Sequence, residues 1–150
     1  MALEIERKFL VDEKNFPAQI LINGEKISQG YLSVEPARTV RVRIKGERGF
    51  LTIKSVNVGI VRQEFEYEIP IKDAEEILKL CEKVLEKVRY KVEYAGHIWE
   101  IDIFGGRLAG LILAEVELTA PKEILELPDW LGDEVSDNPK YFNSNLAKTF

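Results

Sequence analysis

The sequence contains very few residues of the types that support several common kinds of site chemistry. Its 150 residues include one cysteine, Cys81, and one histidine, His97. A single cysteine excludes an intramolecular disulfide and a cysteine-based zinc site. A single histidine gives little support to a histidine-rich metal site or to Ser-His-Asp and Cys-His catalysis. Any metal would therefore take oxygen ligands, which favours hard divalent cations such as Mg²⁺ or Mn²⁺.

Long apolar runs and an excess of positive charge are also missing. No stretch reaches the length of a membrane span, and the early acids Glu4 and Glu6 argue against a signal peptide. We therefore expect a soluble, cytoplasmic protein. The net charge of -5 argues against a broad nucleic-acid-binding surface, which would be basic. The length and the hydrophobic content of 45% suit one folded domain over residues 1–150.

Short runs of alternating polar and apolar residues predict a mainly β fold with a few helices. Turn-forming residues such as Asn23-Gly24 and Gly105-Gly106 separate these runs. The predicted strands are residues 2–11, 27–34, 38–45, 50–56, 61–71, 87–94, 97–104 and 111–119. Eight strands joined mostly by tight turns favour a strongly curved antiparallel sheet or a closed barrel.

The clearest helical pattern lies in the middle of the chain. Asp73 and Glu76 have the spacing of a capping box, and apolar residues at helical spacing follow them. This pattern predicts a helix over residues 74–86. Shorter helices, each opened by a proline, are predicted over residues 121–127 and 139–148, and a loop or a helical turn is predicted near residues 12–18. These helices are expected to flank the sheet and cover part of its outer face.

One face of the predicted strands carries charges that are segregated by sign. In the first strand Glu4, Glu6 and Lys8 share one face, because successive side chains of a strand point to opposite faces. The other face carries Leu3, Ile5, Arg7 and Phe9. Other strands carry a single sign on this face, as Arg41 and Arg43 do. For any one strand, a charged solvent-facing side is the simpler explanation. For all the strands together this explanation is weaker, because neighbouring like charges on one face of a sheet reduce its stability.

A metal bound to a polyphosphate would satisfy both sets of charges at once. Carboxylates bind divalent cations, which in turn bind phosphate oxygens, and arginine and lysine contact the same phosphates. If the charged face lines the inside of a barrel, the apolar face points outward. Charges inside and apolar residues outside are the inverse of the usual barrel. A hydrated, ion-paired and ligand-filled interior would stabilise this arrangement.

The ordered motifs resemble the CYTH superfamily of triphosphate tunnel metalloenzymes, in particular its small tripolyphosphatase-like members. The N-terminal Glu4-Ile5-Glu6-Arg7-Lys8 is similar to the ExExK signature of that superfamily. The series continues with Gln29-Gly30-Tyr31-Leu32, Arg41-Val42-Arg43, Leu51-Thr52-Ile53-Lys54, Arg62-Gln63-Glu64-Phe65-Glu66, Lys87-Val88-Arg89-Tyr90, Glu100-Ile101-Asp102 and Glu115-Val116-Glu117-Leu118. The resemblance implies an eight-stranded antiparallel β-barrel tunnel with a charged interior and metal-dependent chemistry on a triphosphate.

The resemblance also implies roles for individual residues. The implied metal ligands are Glu4, Glu6, Asp102, Glu115 and Glu117. The implied phosphate ligands are Lys8, Arg41, Arg43, Lys54, Lys87 and Arg89. Glu64 and Glu66 are expected beside the metal as catalytic groups. Lys54, with Tyr31 as its partner, is the candidate base, on the premise that neighbouring cations favour its neutral form.

Hydrolysis of inorganic tripolyphosphate to pyrophosphate and phosphate is the activity that these features favour. The sequence shows no aromatic pair on the polar face for stacking a base, which ranks tripolyphosphate above ATP or thiamine triphosphate. A class IV-type adenylate cyclase is a second hypothesis, although the His-Phe pair of such cyclases is absent. A polyphosphate- or nucleotide-binding module without activity is a third. Either a monomer or a homodimer is compatible with the sequence.

The C-terminal region departs from the pattern of the superfamily. Small members often carry a basic residue between a tyrosine and an asparagine, whereas here Phe142 lies between Tyr141 and Asn143. The sequence therefore leaves open whether the C-terminal region supplies a cationic contact to the substrate.

Overall fold

The computed structural model of the chain describes residues 3–12 and 14–147, which form nine strands and two short α-helices. The strands are β1 (Leu3–Val11), β2 (Glu25–Ser33), β3 (Arg38–Lys45), β4 (Arg48–Ser55), β5 (Val61–Ile69), β6 (Val84–Tyr94), β7 (His97–Phe104), β8 (Ile112–Glu117) and β9 (Leu131–Glu134). The helices are α1 (Ile71–Leu80) and α2 (Asn143–Leu146). Single 3₁₀ turns occur at Ala18–Ile20, Gly106–Leu108 and Pro139–Tyr141.

The first eight strands close into an antiparallel barrel, which confirms the predicted fold. Around the barrel the order is β1, β5, β4, β3, β2, β6, β7 and β8, and β8 pairs with β1 again. The closing pair of β1 with β5 is short, running from Leu3 opposite Gln63 to Ile5 opposite Val61. Beyond this short pair, β9 pairs with the part of β1 that β5 leaves unpaired, with Phe9 opposite Glu134. The ninth strand was not predicted.

The predicted helix over residues 74–86 is wrong at both ends. Helix α1 begins at Ile71 after Pro70, so that Asp73 lies in its first turn and no side chain caps the helix. It ends at Leu80, and residues from Val84 onward join the barrel as β6 opposite Gly30 of β2. Pairing between distant strands therefore overrides the helical spacing of the apolar residues beyond Leu80.

The other predicted helices are also corrected by the structure. Residues 121–127 form turns and irregular chain, because the Glu123 carboxylate accepts hydrogen bonds from Thr119 N and Oγ1 and holds this segment as a loop. The segment predicted as helix over 139–148 is a 3₁₀ turn followed by α2, and residue 148 lies outside the described residues. The loop or helical turn predicted near 12–18 is a loop at residues 14–17, followed by a 3₁₀ turn at Ala18–Ile20.

The main hydrophobic core lies on the outer face of one half of the barrel. It includes Phe9 of β1, Trp99 of β7 and Val116 of β8. The irregular segment after β8 covers these residues through Trp130, whose ring contacts Trp99 with centroids 6.0 Å apart. Helix α1 packs on the other half, where Ala74 is fully buried against β4. Much of the predicted apolar exterior is therefore buried beneath other segments of the chain.

One end of the barrel interior is apolar, which the sequence did not predict. Leu85, Phe104 and Leu113 have the same strand parity as the interior charges, and they pack with Val135 and with Leu146 of α2. Helix α2 therefore helps to seal one end of the barrel instead of covering its outer wall. Within the described residues, no helix combines the length and the apolar character needed to cross a membrane.

Candidate active site

Two adjoining cavities lie inside the barrel and share several lining residues, among them Glu4, Lys8 and Asn143. The inner cavity has a volume of about 180 Å³, and all of its lining residues except Asn143 are charged. These residues are Glu4, Glu6, Lys8, Arg41, Arg43, Lys45, Lys54, Arg62, Glu64, Glu66, Arg89, Glu100, Glu115, Glu117 and Asn143. The second cavity, here called the end cavity, lies at the end of the barrel that α2 seals and adds uncharged groups: Tyr31, Thr39, Asn57, Ile60, Ser136, Phe142 and Ser144.

Most of the residues that the sequence singled out meet in these two cavities. Of these two cavities, Tyr31 lines only the end cavity, whereas Lys54 lines both. Two predicted ligands, Lys87 and Asp102, line neither cavity and lie buried in the adjacent barrel wall. Strand pairing explains this convergence, because residues opposite each other on paired strands point to the same side of the sheet.

Asp102 is fully buried and ion-paired with two cations. It lies opposite Arg89 on the paired strands β6 and β7, and it accepts hydrogen bonds from Lys87 Nζ at 2.7 Å and Arg89 Nε at 2.7 Å. Burial alone would raise the pKa of Asp102, but Lys87 and Arg89 hold it below its usual value. Burial lowers the pKa of Lys87 to about 8 despite the attraction of Asp102. Both oxygens of Asp102 are therefore engaged, and metal binding by this residue stays a prediction.

Glu6 and Glu115 form a close carboxyl pair on the acidic side of the inner cavity. Burial and the charges of Glu115 and Glu4 raise the pKa of Glu6 well above its usual value. Burial would also raise the pKa of Glu115, but the charges of Lys8 and Arg89 hold this pKa well below its usual value. Lys8 Nζ lies 3.6 Å from Glu115 Oε1, and these two residues are opposite each other on β1 and β8.

Glu4 is paired with Lys54 and Arg62 in the region shared by the two cavities. Lys54 Nζ lies 3.2 Å from Glu4 Oε1 and 3.1 Å from Glu64 Oε2, and Arg62 Nε donates to Glu4 Oε1 at 3.0 Å. Although burial opposes the shift, Lys54 and Arg62 lower the pKa of Glu4 to about 2. The premise that Lys54 is surrounded by cations is therefore wrong, since carboxylates are its ion-pair partners. A role as the base stays a prediction.

Arginines of β3 form the basic side of the inner cavity. Arg41 and Arg43 each place Nη2 3.4 Å from Glu66 Oε2, and the buried Thr52 donates to the same oxygen at 3.0 Å. Burial and the charges of Arg41 and Arg89 lower the pKa of Arg43 to about 10. The Nε atoms of Arg41 and Arg43 are buried without a hydrogen-bond partner within residues 3–12 and 14–147. These unsatisfied donors are suited to an anionic ligand.

The acids of the cavity suit a hard divalent cation by their chemistry. Burial, with the charges of Glu4, Glu64 and Glu100, raises the pKa of Glu117, and Glu115 Oε1 is buried without a hydrogen-bond partner within the described chain. A bound cation would relieve the mutual repulsion of these acids and give Glu115 Oε1 a close partner, since Lys8 Nζ approaches it only to 3.6 Å. As the side chains stand, no three acid, histidine or cysteine groups among the described residues converge closely enough to hold a metal.

A comparison with known protein families identifies the family to which this barrel and its charged cavity belong. The model of the CYTH domain matches residues 2–149 of the chain. The chain belongs to the CYTH domain family. An inorganic triphosphatase of Acetivibrio thermocellus is 45% identical, with 99% of this chain and 95% of that protein aligned. An inorganic triphosphatase of Nitrosomonas europaea is 36% identical, with 96% of each chain aligned.

A solved structure shows the same fold. The crystal structure of an inorganic triphosphatase superposes with a TM-score of 0.71 at 34% identity, covering 100% of this chain and 97% of that one. The fold of this CYTH domain is thus shared with that protein over nearly all of both chains.

The structure also shows site residues of this CYTH domain that the sequence analysis did not select. Arg62 lines both cavities and has the strand parity of Glu64 and Glu66, so that alternation alone would have identified it. Thr52 is buried between Arg41 and Glu66, at a position that the same alternation places inside. No local pattern indicates Asn143, because its position depends on how the C-terminal segment enters the barrel.

Proposed function

We propose that this CYTH domain is a divalent-metal-dependent triphosphatase that hydrolyses the terminal phosphoryl group of inorganic tripolyphosphate. The observation that carries this proposal is the inner cavity, in which acidic and basic side chains face each other inside a closed barrel. Both aligned relatives are named inorganic triphosphatases, which supports the same activity here. The unpartnered Nε atoms of Arg41 and Arg43 support a polyanionic ligand.

The proposed phosphate ligands are the basic residues that line the cavity. Arg41, Arg43 and Arg89 offer forked donors to phosphate oxygens, while Lys8 and Lys54 contribute more compact charges. The buried Lys87 supports this set from behind, through its ion pair with Asp102. Phosphoryl transfer depends mainly on positioning and on stabilising the charge of the transferred group, so a rigid set of donors is the appropriate device.

The proposed metal-binding residues are acids that line the inner cavity: Glu4, Glu6, Glu115 and Glu117. When held by these residues, Mg²⁺ or Mn²⁺ would supply positive charge near the phosphate oxygens and would lower the pKa of water at the site. The resemblance noted above also assigned Asp102 to this set. Its two hydrogen-bonded oxygens favour instead a role in orienting Arg89 and Lys87.

The proposed reaction is a single displacement. A water oxygen forms a new P–O bond at the terminal phosphorus, while the bond to the bridging oxygen breaks and pyrophosphate leaves. The proton of the water passes to the surrounding carboxylates and then to solvent, and orthophosphate is the second product. Glu64 and Glu66 are the proposed groups that orient the water, because both carboxylates line the inner cavity.

Organic triphosphates are a second candidate class of substrate, favoured by the rings of the end cavity. Tyr31 and Phe142 both line this cavity, so aromatic side chains are present at one end of the charged tunnel. The inner cavity nevertheless has purely polar and charged walls, which suits a ligand made of phosphates alone.

Phosphate release from tripolyphosphate, ATP and thiamine triphosphate tests the proposal, with Mg²⁺, Mn²⁺ or EDTA present. We expect metal-dependent release of phosphate, with the highest kcat/KM on tripolyphosphate. A higher kcat/KM on ATP would transfer the assignment to organic triphosphates. Chromatographic detection of cyclic AMP and pyrophosphate from ATP would instead identify a cyclase. Binding in EDTA without turnover in either metal would indicate a binding module.

A further inference from the structure

Asn143 is the one uncharged residue among the side chains that line the inner cavity. It also lines the end cavity, so it lies where the two cavities meet. Its Oδ1 atom is buried and has no hydrogen-bond partner within the part of the chain that the structure describes. A buried polar atom without a partner costs about 1–3 kcal/mol, so such atoms in native proteins usually bind water or a ligand.

The position of Asn143 is fixed by contacts on both sides of it in the sequence. Before it, Lys8 N donates to Ser136 Oγ at 2.9 Å, and Lys8 Nζ donates to the Tyr141 carbonyl at 3.0 Å. After it, Leu146 is buried in the apolar cluster at the end of the barrel. Residues three apart share one face of a helix, so the burial of Leu146 directs Asn143 toward the barrel.

The chemistry of the unsatisfied atom indicates what it binds. The amide oxygen is an acceptor, and the oxygens of an ionised triphosphate are acceptors as well. The triphosphate therefore satisfies the unpaired donors of Arg41 and Arg43 but cannot satisfy Asn143 Oδ1. A water molecule can, because it donates to the amide oxygen with one hydrogen and retains its lone pairs.

We infer that Asn143 is a positioning residue of the tunnel, whose side-chain oxygen holds the water that attacks the terminal phosphorus. This inference rests on the proposed triphosphatase function. The C-terminal segment thus completes the reaction site from the end of the barrel that α2 seals, and the described residues of this segment that line the two cavities are uncharged. Holding one hydrogen of the water on Oδ1 fixes the direction of the oxygen lone pairs relative to the phosphorus.

Steady-state kinetics on tripolyphosphate with Mn²⁺ tests this role in Asn143→Leu, Asn143→Ala and Asn143→Asp. Leucine matches asparagine in shape but has no acceptor, and we expect its kcat to fall by about tenfold or more with little change in KM. Asn143→Ala should show the same fall in kcat. It provides the test if Asn143→Leu does not fold. Aspartate retains the acceptor, so kcat should stay within a few-fold of the original while its added charge raises KM.

A matched control comes from the same helix. Asn145 Nδ2 donates to the Pro139 carbonyl at 2.7 Å, and this side chain lines neither cavity. Asn145→Ala should lower the melting temperature and leave kcat unchanged. The inference is overturned if Asn143→Leu keeps its kcat, if Asn143→Asp loses kcat as leucine does, or if Asn145→Ala loses it equally. Absence of phosphate release by the unmodified protein would instead refute the proposed function.

Discussion

Arg89 donates two hydrogen bonds to Asp102 across the β6–β7 pair, from Nε to Oδ1 at 2.7 Å and from Nη2 to Oδ2 at 2.8 Å. Lys87 Nζ donates to the same Oδ2 atom at 2.7 Å. The carboxylate thus holds two cations in the wall of the tunnel, and Arg89 in turn lines the inner cavity. Charge pairs of this kind fix the orientation of a guanidinium before the substrate arrives.

Asp102→Asn should weaken both the fold and the binding of the substrate. Removing one partner of a buried ion pair costs about 3–5 kcal/mol, which a urea unfolding experiment measures. With Arg89 no longer oriented, we expect KM for tripolyphosphate to rise about tenfold, as expected for a lost charge-assisted contact. The exposed Asp133→Asn is the control. If the Mn²⁺ requirement rises tenfold while stability is unchanged, Asp102 is a metal ligand instead.

Glu117→Gln should fold normally and lose most of its metal-dependent activity. Burial and three neighbouring acids raise the pKa of Glu117, so loss of its charge removes repulsion and should keep or raise the melting temperature. Turnover should fall by roughly three orders of magnitude, since charge near the transferred phosphoryl group dominates the catalysis. Glu75→Gln, on the exposed side of α1, is the matched control. Unchanged turnover in Glu117→Gln would contradict the assignment of the carboxylates.

The pair of His97 and Glu123 should make stability depend on pH. The hydrogen bond to Glu123 raises the pKa of His97 above 6.5, so its stabilisation is full below that value and disappears as pH rises through the raised pKa. Hydrogen bonds from His97 and Thr119 lower the pKa of Glu123 from 4.5 to about 2, so its stabilisation is full above 4.5 and disappears toward pH 2. The pair is therefore strongest between about pH 4.5 and 6.5.

Melting temperatures measured from pH 3 to pH 9 check this dependence. Glu123→Gln should melt below the unmodified protein, with the largest difference inside that window. Glu126→Gln changes an exposed acid of the same segment and should show a small difference without such a maximum. A constant difference for Glu123→Gln at every pH would exclude the ion pair as the cause.

Gly49 of β4 lies where α1 approaches the barrel most closely. A Cβ atom at Gly49 would lie 2.6 Å from the Cβ atom of the fully buried Ala74. Gly49→Ala should therefore reduce the free energy of unfolding by about 1–3 kcal/mol, because overpacking forces the helix outward. Adding Ala74→Gly should recover part of this loss, and Ala74→Gly alone is the reference for the cost of glycine in a helix. Strict additivity of the two changes would show that they do not interact.

Several parts of the fold and the site follow from local patterns in the sequence. The alternation in β3 places Arg41 and Arg43 on one face with apolar residues on the other, and this assignment needs no knowledge of the neighbouring strands. Turn-forming residues mark the ends of the strands, and they too can be recognised without knowledge of the neighbouring strands. The helix over 71–80 was found but misplaced, because Val84 and the residues after it have long-range strand partners that a local period cannot indicate.

The amino-acid sequence by itself determined which side chains share a face of each strand, and therefore that acids and bases line one surface. Only the tertiary structure decided which of them meet: Asp102 with Arg89, Glu4 with Lys54, and Asn143 with the tunnel. The physical reason is that the period of a strand fixes the direction of its side chains, while strand order and register fix their neighbours. Order and register depend on pairing between distant segments, as in β1 with both β5 and β8.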